Sequence, residues 1–189
     1  KTAYAIASCL GGSEMCIRDS SLRSCIGYIP QDGYLFSGTV KENIAFASNI
    51  IEDEKVITAA KKSEILEEID SFSNGFETII GERGVQLSGG QRQRLAIART
   101  FYKEPNLFIF DDCLSAIDIT KEQKILNNLK EESKGKTSII ISHRIAALKD
   151  ADHIIVLDAG KIIEEGTHNE LIKNKGFYFE INQSQSNKI

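Results

Sequence analysis

Leu87-Ser-Gly-Gly-Gln-Arg-Gln-Arg-Leu-Ala-Ile-Ala-Arg-Thr-Phe-Tyr-Lys-Glu-Pro-Asn-Leu-Phe-Ile-Phe-Asp-Asp112 is the stretch that decides the fold. Its first part is helical: Ser88 is a good N-cap, and Leu95, Ala98 and Tyr102 recur at helical spacing. Its second part, Leu107-Phe-Ile-Phe110, is a continuous apolar run that fits a strand buried on both faces. Two carboxylates, Asp111 and Asp112, leave the end of that strand.

The same alternation extends outward. Ile26-Gly-Tyr-Ile29 reads as a short strand closed by Pro30, and Ser138-Ile-Ile-Ile141 as another buried strand. Ile119 to Glu132 and Arg144 to Lys149 read as helices. His153 to Leu157 and Lys161 to Glu164 flank Asp158-Ala-Gly160, a hairpin turn, and two short helices follow. Helices alternating with buried strands predict an α/β core with a parallel sheet. Gly38 and Thr39 lead into a helical pattern through Ala47, and Ile51 to Phe72 reads as one or two amphipathic helices. No convincing strand lies between Val40 and Lys103, which predicts a separate helical lobe. The expected division is a lobe over 32–103 and a catalytic core over 104–189.

Three places carry chemistry. At Leu87-Ser-Gly-Gly-Gln91, Gly89 and Gly90 let an anion approach a capped helix N-terminus, where free N–H groups and the positive dipole end favour phosphate. At Asp111-Asp112, one carboxylate suits Mg²⁺ and the next can orient a water, just beyond the carboxyl end of a strand. At Ser142-His143-Arg144, a histidine at another strand end could contact a γ-phosphate or the attacking water. A fourth and weaker feature is Pro30-Gln31, a glutamine able to reach a metal-bound water.

In this order the motifs resemble the nucleotide-binding domain of ATP-binding-cassette (ABC) transporters, over about Ser21 to the C-terminus. Gln31 matches the Q-loop, Leu87–Gln91 the family signature, Asp111 the end of the Walker B strand, Ser115-Ala-Ile-Asp118 the D-loop and His143 the switch histidine. Leu35-Phe-Ser-Gly-Thr-Val-Lys-Glu-Asn-Ile44 and Gly81-Glu-Arg-Gly84 look like the exporter branch. The resemblance implies a P-loop NTPase-like (RecA-like) parallel-sheet core with an inserted helical subdomain, incomplete at its N-terminus. It implies ATP and Mg²⁺ as ligands, with Asp111 and Gln31 at the metal and Asp112 and His143 as catalytic residues. Ser88, Gly89, Gly90 and Gln91 would serve the ATP of a second nucleotide-binding domain, joined head to tail, with Asp118 at the seam. A transmembrane domain would be the other partner, placing the protein on the cytoplasmic face of a cell membrane, that of a bacterium.

The chain departs from that pattern in two ways. No G-x-x-x-x-G-K-[S/T] occurs in it. Gly135-Lys136-Thr137 lacks the earlier glycine and precedes a strand, so it reads as a loop; Lys1-Thr2 could be the tail of a truncated P-loop. The isolated chain is therefore expected to bind ATP poorly. Asp112 stands where the family usually has Glu, one methylene longer. With an intact signature, that change is expected of the degenerate half of a heterodimer. Two other readings are a non-catalytic regulatory module and a DNA-repair or chromosome-maintenance ATPase. The latter fits neither the exporter-like tract nor the charge.

Composition sets the frame. The 189 residues carry 27 acidic against 23 basic side chains, a net charge of −4, which argues against nucleic acid as the main partner. The longest apolar run is five residues, Ala3 to Ala7, far short of the roughly 20 that span a bilayer. The four cysteines include no C-x-x-C pair, which argues against zinc and for a reducing compartment. Residues 1–20 stand apart: they hold two of the cysteines and the sole methionine, Met15, without helical or strand period. That tract reads either as a surface loop or as foreign sequence, since Ser13 to Ser20 looks like a translated sequencing adapter.

Overall fold

The computed structural model describes residues 21–46, 48–81, 85–114 and 116–186. Residues 1–20 lie outside these, and with them the Lys1-Thr2 and adapter-like readings; so do Ser115 and residues 82–84. The chain divides into two compact units, Lys1–Ile139 and Ile140–Ile189.

In the first unit, strands β1 (Ile26–Ile29) and β4 (Leu107–Asp111) pair in parallel, with Ile29 opposite Phe110. The sheet order is β1-β4-β5, β5 being Thr137–Ile141, which crosses the division between the units. Parallel pairing needs a long crossover. Here the crossover carries α1 (Val40–Ile44), α2 (Asp53–Lys62), α3 (Leu66–Ser71) and α4 (Gly89–Lys103). This is the expected parallel-sheet α/β core with its helical insertion. Ile51 to Phe72 resolves into two helices, interrupted at Glu64, whose φ of 55° is left-handed.

Helix α4 is the axis of this unit. Gln93 to Ala98, Thr100, Phe101 and Tyr102 are all buried, and the helix packs on α1, α2 and β1. Leu95, Ile97 and Ala98 are at most 1% exposed. Full burial of a Leu or Ile side chain is worth ~1.5–3 kcal/mol, so this one helix contributes much of the driving force.

Three expectations need correction. The Val40–Lys103 region does contain a strand: β3 (Ile79–Ile80) pairs antiparallel with β2 (Gly38–Thr39). Two residues are too short for a period-2 pattern to register in sequence. Strand β4 is not buried on both faces; Phe108 and Phe110 are buried, whereas Leu107, Ile109 and Asp111 are half-buried. Strand β5 is mostly exposed, Ile139 by 48% and Ile141 by 52%. Among the described residues it stands last in the strand order, so there its isoleucine run marks strand propensity rather than burial.

In the second unit, β6 (Ile154–Asp158) and β7 (Lys161–Gly166) form the expected hairpin. Ala159 and Gly160 turn it with φ of 45° and 75°. Helices α6 (Ile145–Leu148), α7 (His168–Asn174) and α8 (Phe177–Ser186) pack with it around Ile145, Ile154, Leu171 and Tyr178. Between the α5 helix (Ile119–Glu132) and β5, Gly135 turns at φ 72° and Lys136 N–H donates to Ser133 O at 2.8 Å. Gly135-Lys136-Thr137 thus leads into a strand, as the sequence indicates.

Candidate functional site

The start of α4 is built by local chemistry. Ser88 Oγ accepts from Gln91 N–H at 3.2 Å, and Gln91 Oε1 accepts from Ser88 N–H at 2.9 Å, a reciprocal capping box. The first-turn amides of Gly89 and Gly90 have no intrahelical acceptor, so they present donors at the positive end of the helix. A Cβ at Gly90 would sit 2.9 Å from Ala116 O. Glycine there lets the loop after β4 close onto the helix terminus. An open pocket results, bounded by Ser88, Gly89, Gly90, Arg94 and Asp118.

Asp118 serves this pocket and its own helix. Its Oδ1 accepts from Lys121 N–H at 3.0 Å as the N-cap of α5. That hydrogen bond first, then the nearby Lys121 and Arg94 charges, holds the carboxyl below the usual range although burial acts the other way.

Asp111 and Gln31 leave adjacent parallel strands at the same edge. The pairing of Ile29 with Phe110 fixes that, because both chains exit the sheet within two residues. Tyr28 OH donates to Asp111 Oδ2 at 3.0 Å, and this bond is the main reason the phenol pKa is raised. Asp112 follows at φ 45°, in the left-handed region that Asp tolerates better than most residues. Cys113 is buried, and burial pushes its thiol up to about 12, so it stays protonated and unreactive. His143 belongs to the second unit, at the exposed exit of β5.

The residue that joins these parts is one the sequence reading did not single out. Gln93 is 5% exposed; its Nε2 donates to Gln31 O at 2.8 Å and its Oε1 accepts from Ala116 N–H at 3.3 Å. A single buried amide therefore ties the Gln31 segment, helix α4 and the loop after Asp112. Gly33 makes the approach possible: a Cβ there would meet the Arg92 carbonyl and Gln93 nitrogen at 2.8 Å. The only one-dimensional signal was the position of Gln93 on the inner face of α4, where a polar side chain needs a partner.

Oxygen donors at one strand edge suit Mg²⁺, which takes one or two protein carboxylates and completes its shell with phosphate and water. Asp111 and Gln31 supply such donors. Among the described residues no group of three or more His, Cys, Asp or Glu gathers into a cage. Two such donors fit a cation that completes its shell with phosphate and water, and the amides at Gly89 and Gly90 fit an anion.

Fold and site together define an α/β nucleotide-binding domain of the P-loop NTPase kind. The family model described as ABC transporter matches residues 10–115. The chain belongs to that family, as a nucleotide-binding domain of its exporter branch. It is 46% identical over 159 residues to the probable multidrug resistance ABC transporter ATP-binding/permease protein YheI of Bacillus subtilis (strain 168), covering 84% of this chain and 27% of that protein. It is 42% identical over 174 residues to the mitochondrial iron-sulfur clusters transporter ATM1 of Chaetomium globosum, covering 89% and 29%. A solved structure of a bacterial Atm1-family ABC exporter with ATP bound superposes with a TM-score of 0.83 at 40% identity, over 88% of this chain and 30% of that one. The chain thus spans under a third of the length of these relatives.

Proposed function

We propose that this domain binds ATP with Mg²⁺ and hydrolyses it to drive an exporter, pairing head to tail with a second nucleotide-binding domain. The observation that carries the reading is the Gln93 amide, which joins the Gln31 segment to the loop that follows the Asp111–Asp112 carboxylates. Bound MgATP supplies the γ-phosphoryl group. Asp111 and Gln31 hold the metal side, and Asp112 and His143 orient the attacking water and offset developing charge. Ser88, Gly89, Gly90 and Gln91 donate to the partner's ATP, and Asp118 lies at the seam.

The exposed aromatic surface at Tyr34, Phe36 and Phe46 supports a second protein partner, which we read as an exporter's membrane domain, with this domain on the cytoplasmic side. Tyr34, Phe36 and Phe46 are exposed by 67%, 36% and 46%. Phe36 stacks on Phe46 at 3.9 Å, and the Arg99 guanidinium lies 5.1 and 5.2 Å from the two rings. Arg99 also donates to Asn43 O at 2.9 Å, which ties this patch to α4. Exposed aromatics so braced suit a protein interface.

Asp112 beside an intact Leu87–Gln91 supports the degenerate half of a heterodimer. A carboxylate drawn back by about 1 Å can cost ~10²-fold in rate. In the intact exporter, Asp112→Glu is expected to change hydrolysis modestly and Ser88→Arg to abolish it. Loss of all turnover in Asp112→Ala sinks the degenerate-half reading; wild-type turnover in Ser88→Arg sinks the motor reading. The 189-residue chain alone, with no G-x-x-x-x-G-K-[S/T], is expected to bind ATP weakly, and micromolar affinity in a nucleotide titration contradicts that.

A further inference from the structure

The last turn of α8 reaches back to the loop that carries His143. Gln185 Nε2 donates to His143 O at 2.6 Å, and Gln185 Oε1 accepts from Ile145 N–H at 2.9 Å. One primary amide therefore closes on the backbone on both sides of Arg144, as a neighbouring strand would. It also fills a structural need. Helix α6 is only four residues long, and its N-cap residue, Arg144, makes no side-chain cap hydrogen bond. Gln185 supplies that missing acceptor to Ile145, the first residue of α6, from 40 residues away.

The clamp is held from its other end. The Glu164 carboxylate accepts from Phe177 N–H at 2.6 Å and Tyr178 N–H at 3.1 Å, fixing the start of α8. Tyr178 is 2% exposed and Ile181 packs on the same core. Tyr178 OH also meets His168 Nδ1 at 2.8 Å. A helix pinned at its first turn and along one face presents Gln185 at a defined place.

We propose that Gln185 is a positioning residue for His143. It sets the backbone from which the imidazole projects. The proposal rests on the reading of His143 as a catalytic residue. It is tested in the intact exporter with Gln185→Ala and Gln185→Glu. The latter keeps an acceptor for Ile145 but sets a carboxylate against the His143 carbonyl. Both are expected to lose most of the turnover that His143→Ala loses, up to ~10-fold in kcat, within the cost of displacing a catalytic group by about 1 Å, with KM for ATP within about twofold of wild type. Hydrogen exchange at the Ile145 amide is expected to accelerate in Gln185→Ala.

Ile181→Ala controls for stability, since it removes apolar packing on the core around Tyr178 and keeps the Gln185 amide; it is expected to lower the melting temperature while leaving kcat near wild type. Wild-type kcat or unchanged Ile145 exchange in Gln185→Ala overturns the proposal, as does an equal loss of kcat in Ile181→Ala at matched stability. If His143→Ala retains full turnover, the reading of the site fails first, a result distinct from an inactive His143→Ala beside a fully active Gln185→Ala.

Discussion

Gln93 Nε2 donates to the backbone carbonyl of Gln31 at 2.8 Å, across 62 residues of sequence. The bond acts on main chain rather than side chain, so it fixes where the Gln31 segment runs. The same amide holds Ala116 N–H, on the loop after Asp112. Gln93→Ala removes both hydrogen bonds; Gln31 and Ala116 are exposed residues, so water takes over their backbone groups and the cost is about 0.5–1.5 kcal/mol per bond. We expect a lower urea midpoint and, in the intact exporter, at least ~10-fold slower hydrolysis from the displaced Gln31 segment. Gln93→Glu keeps the acceptor alone and is expected to be nearly as slow. Wild-type turnover in both variants contradicts this role.

Ser88 has two separable duties. As the N-cap of α4 it accepts from Gln91 N–H, and Ser88→Ala removes that bond at a cost of about 1 kcal/mol. Ser88→Asp restores the cap but places negative charge where a phosphate is proposed to bind. Stability is therefore expected to fall in Ser88→Ala and recover in Ser88→Asp. ATP hydrolysis in the intact exporter is expected to fall further in Ser88→Asp. Denaturant titration and turnover together check the reversal.

Glu68 should make stability depend on acid. Its Oε1 accepts from Lys121 Nζ at 2.6 Å and Arg94 at 2.7 Å. Burial alone pushes the carboxyl pKa up, but the hydrogen bonds from Lys121 and Arg94 outweigh it and hold the pKa below the usual range. A carboxyl lowered in the folded state contributes stability in full above its unfolded pKa, ~4.3, and loses it as pH falls through the folded value. Glu68→Gln is expected to be less stable at pH 7 and to lose less on acidification below ~4.3. Denaturation midpoints from pH 7 to 3 test this; parallel curves for the two proteins contradict it.

Ala159 occupies the first turn position of the β6–β7 hairpin at φ 45°, with Gly160 at φ 75°. Two left-handed residues make the turn that Asn-Gly suits best, and an L-alanine there costs roughly 1–2 kcal/mol. Ala159→Asn is expected to raise stability by about 1 kcal/mol, with ATP turnover unchanged. A lower melting temperature would show that the turn is not of this kind.

Much of this protein was legible in one dimension because the physics involved is local. The Ser88 cap, the α4 periodicity, the apolar Leu107–Phe110 run and the Asp158-Ala-Gly160 turn each depend on neighbours within a few residues. Burial was less legible. Leu107–Phe110 and Ser138–Ile141 read alike as apolar runs, yet the first buries two phenylalanines and the second lies open. The β2–β3 pair escaped because two residues carry no pattern.

The sequence by itself determined the order of motifs and the family. Those depend on residue type and short spacing, which the chain carries wherever it folds. The tertiary structure alone decided what holds the motifs in place. The amides of Gln93 and Gln185 meet main-chain partners 62 and 40 residues away. A backbone N–H or carbonyl is the same in every residue, so no pattern of side chains marks which one a distant glutamine will find. Only the packing of α4 on β1, and of α8 on the core around Tyr178, brings each pair within reach.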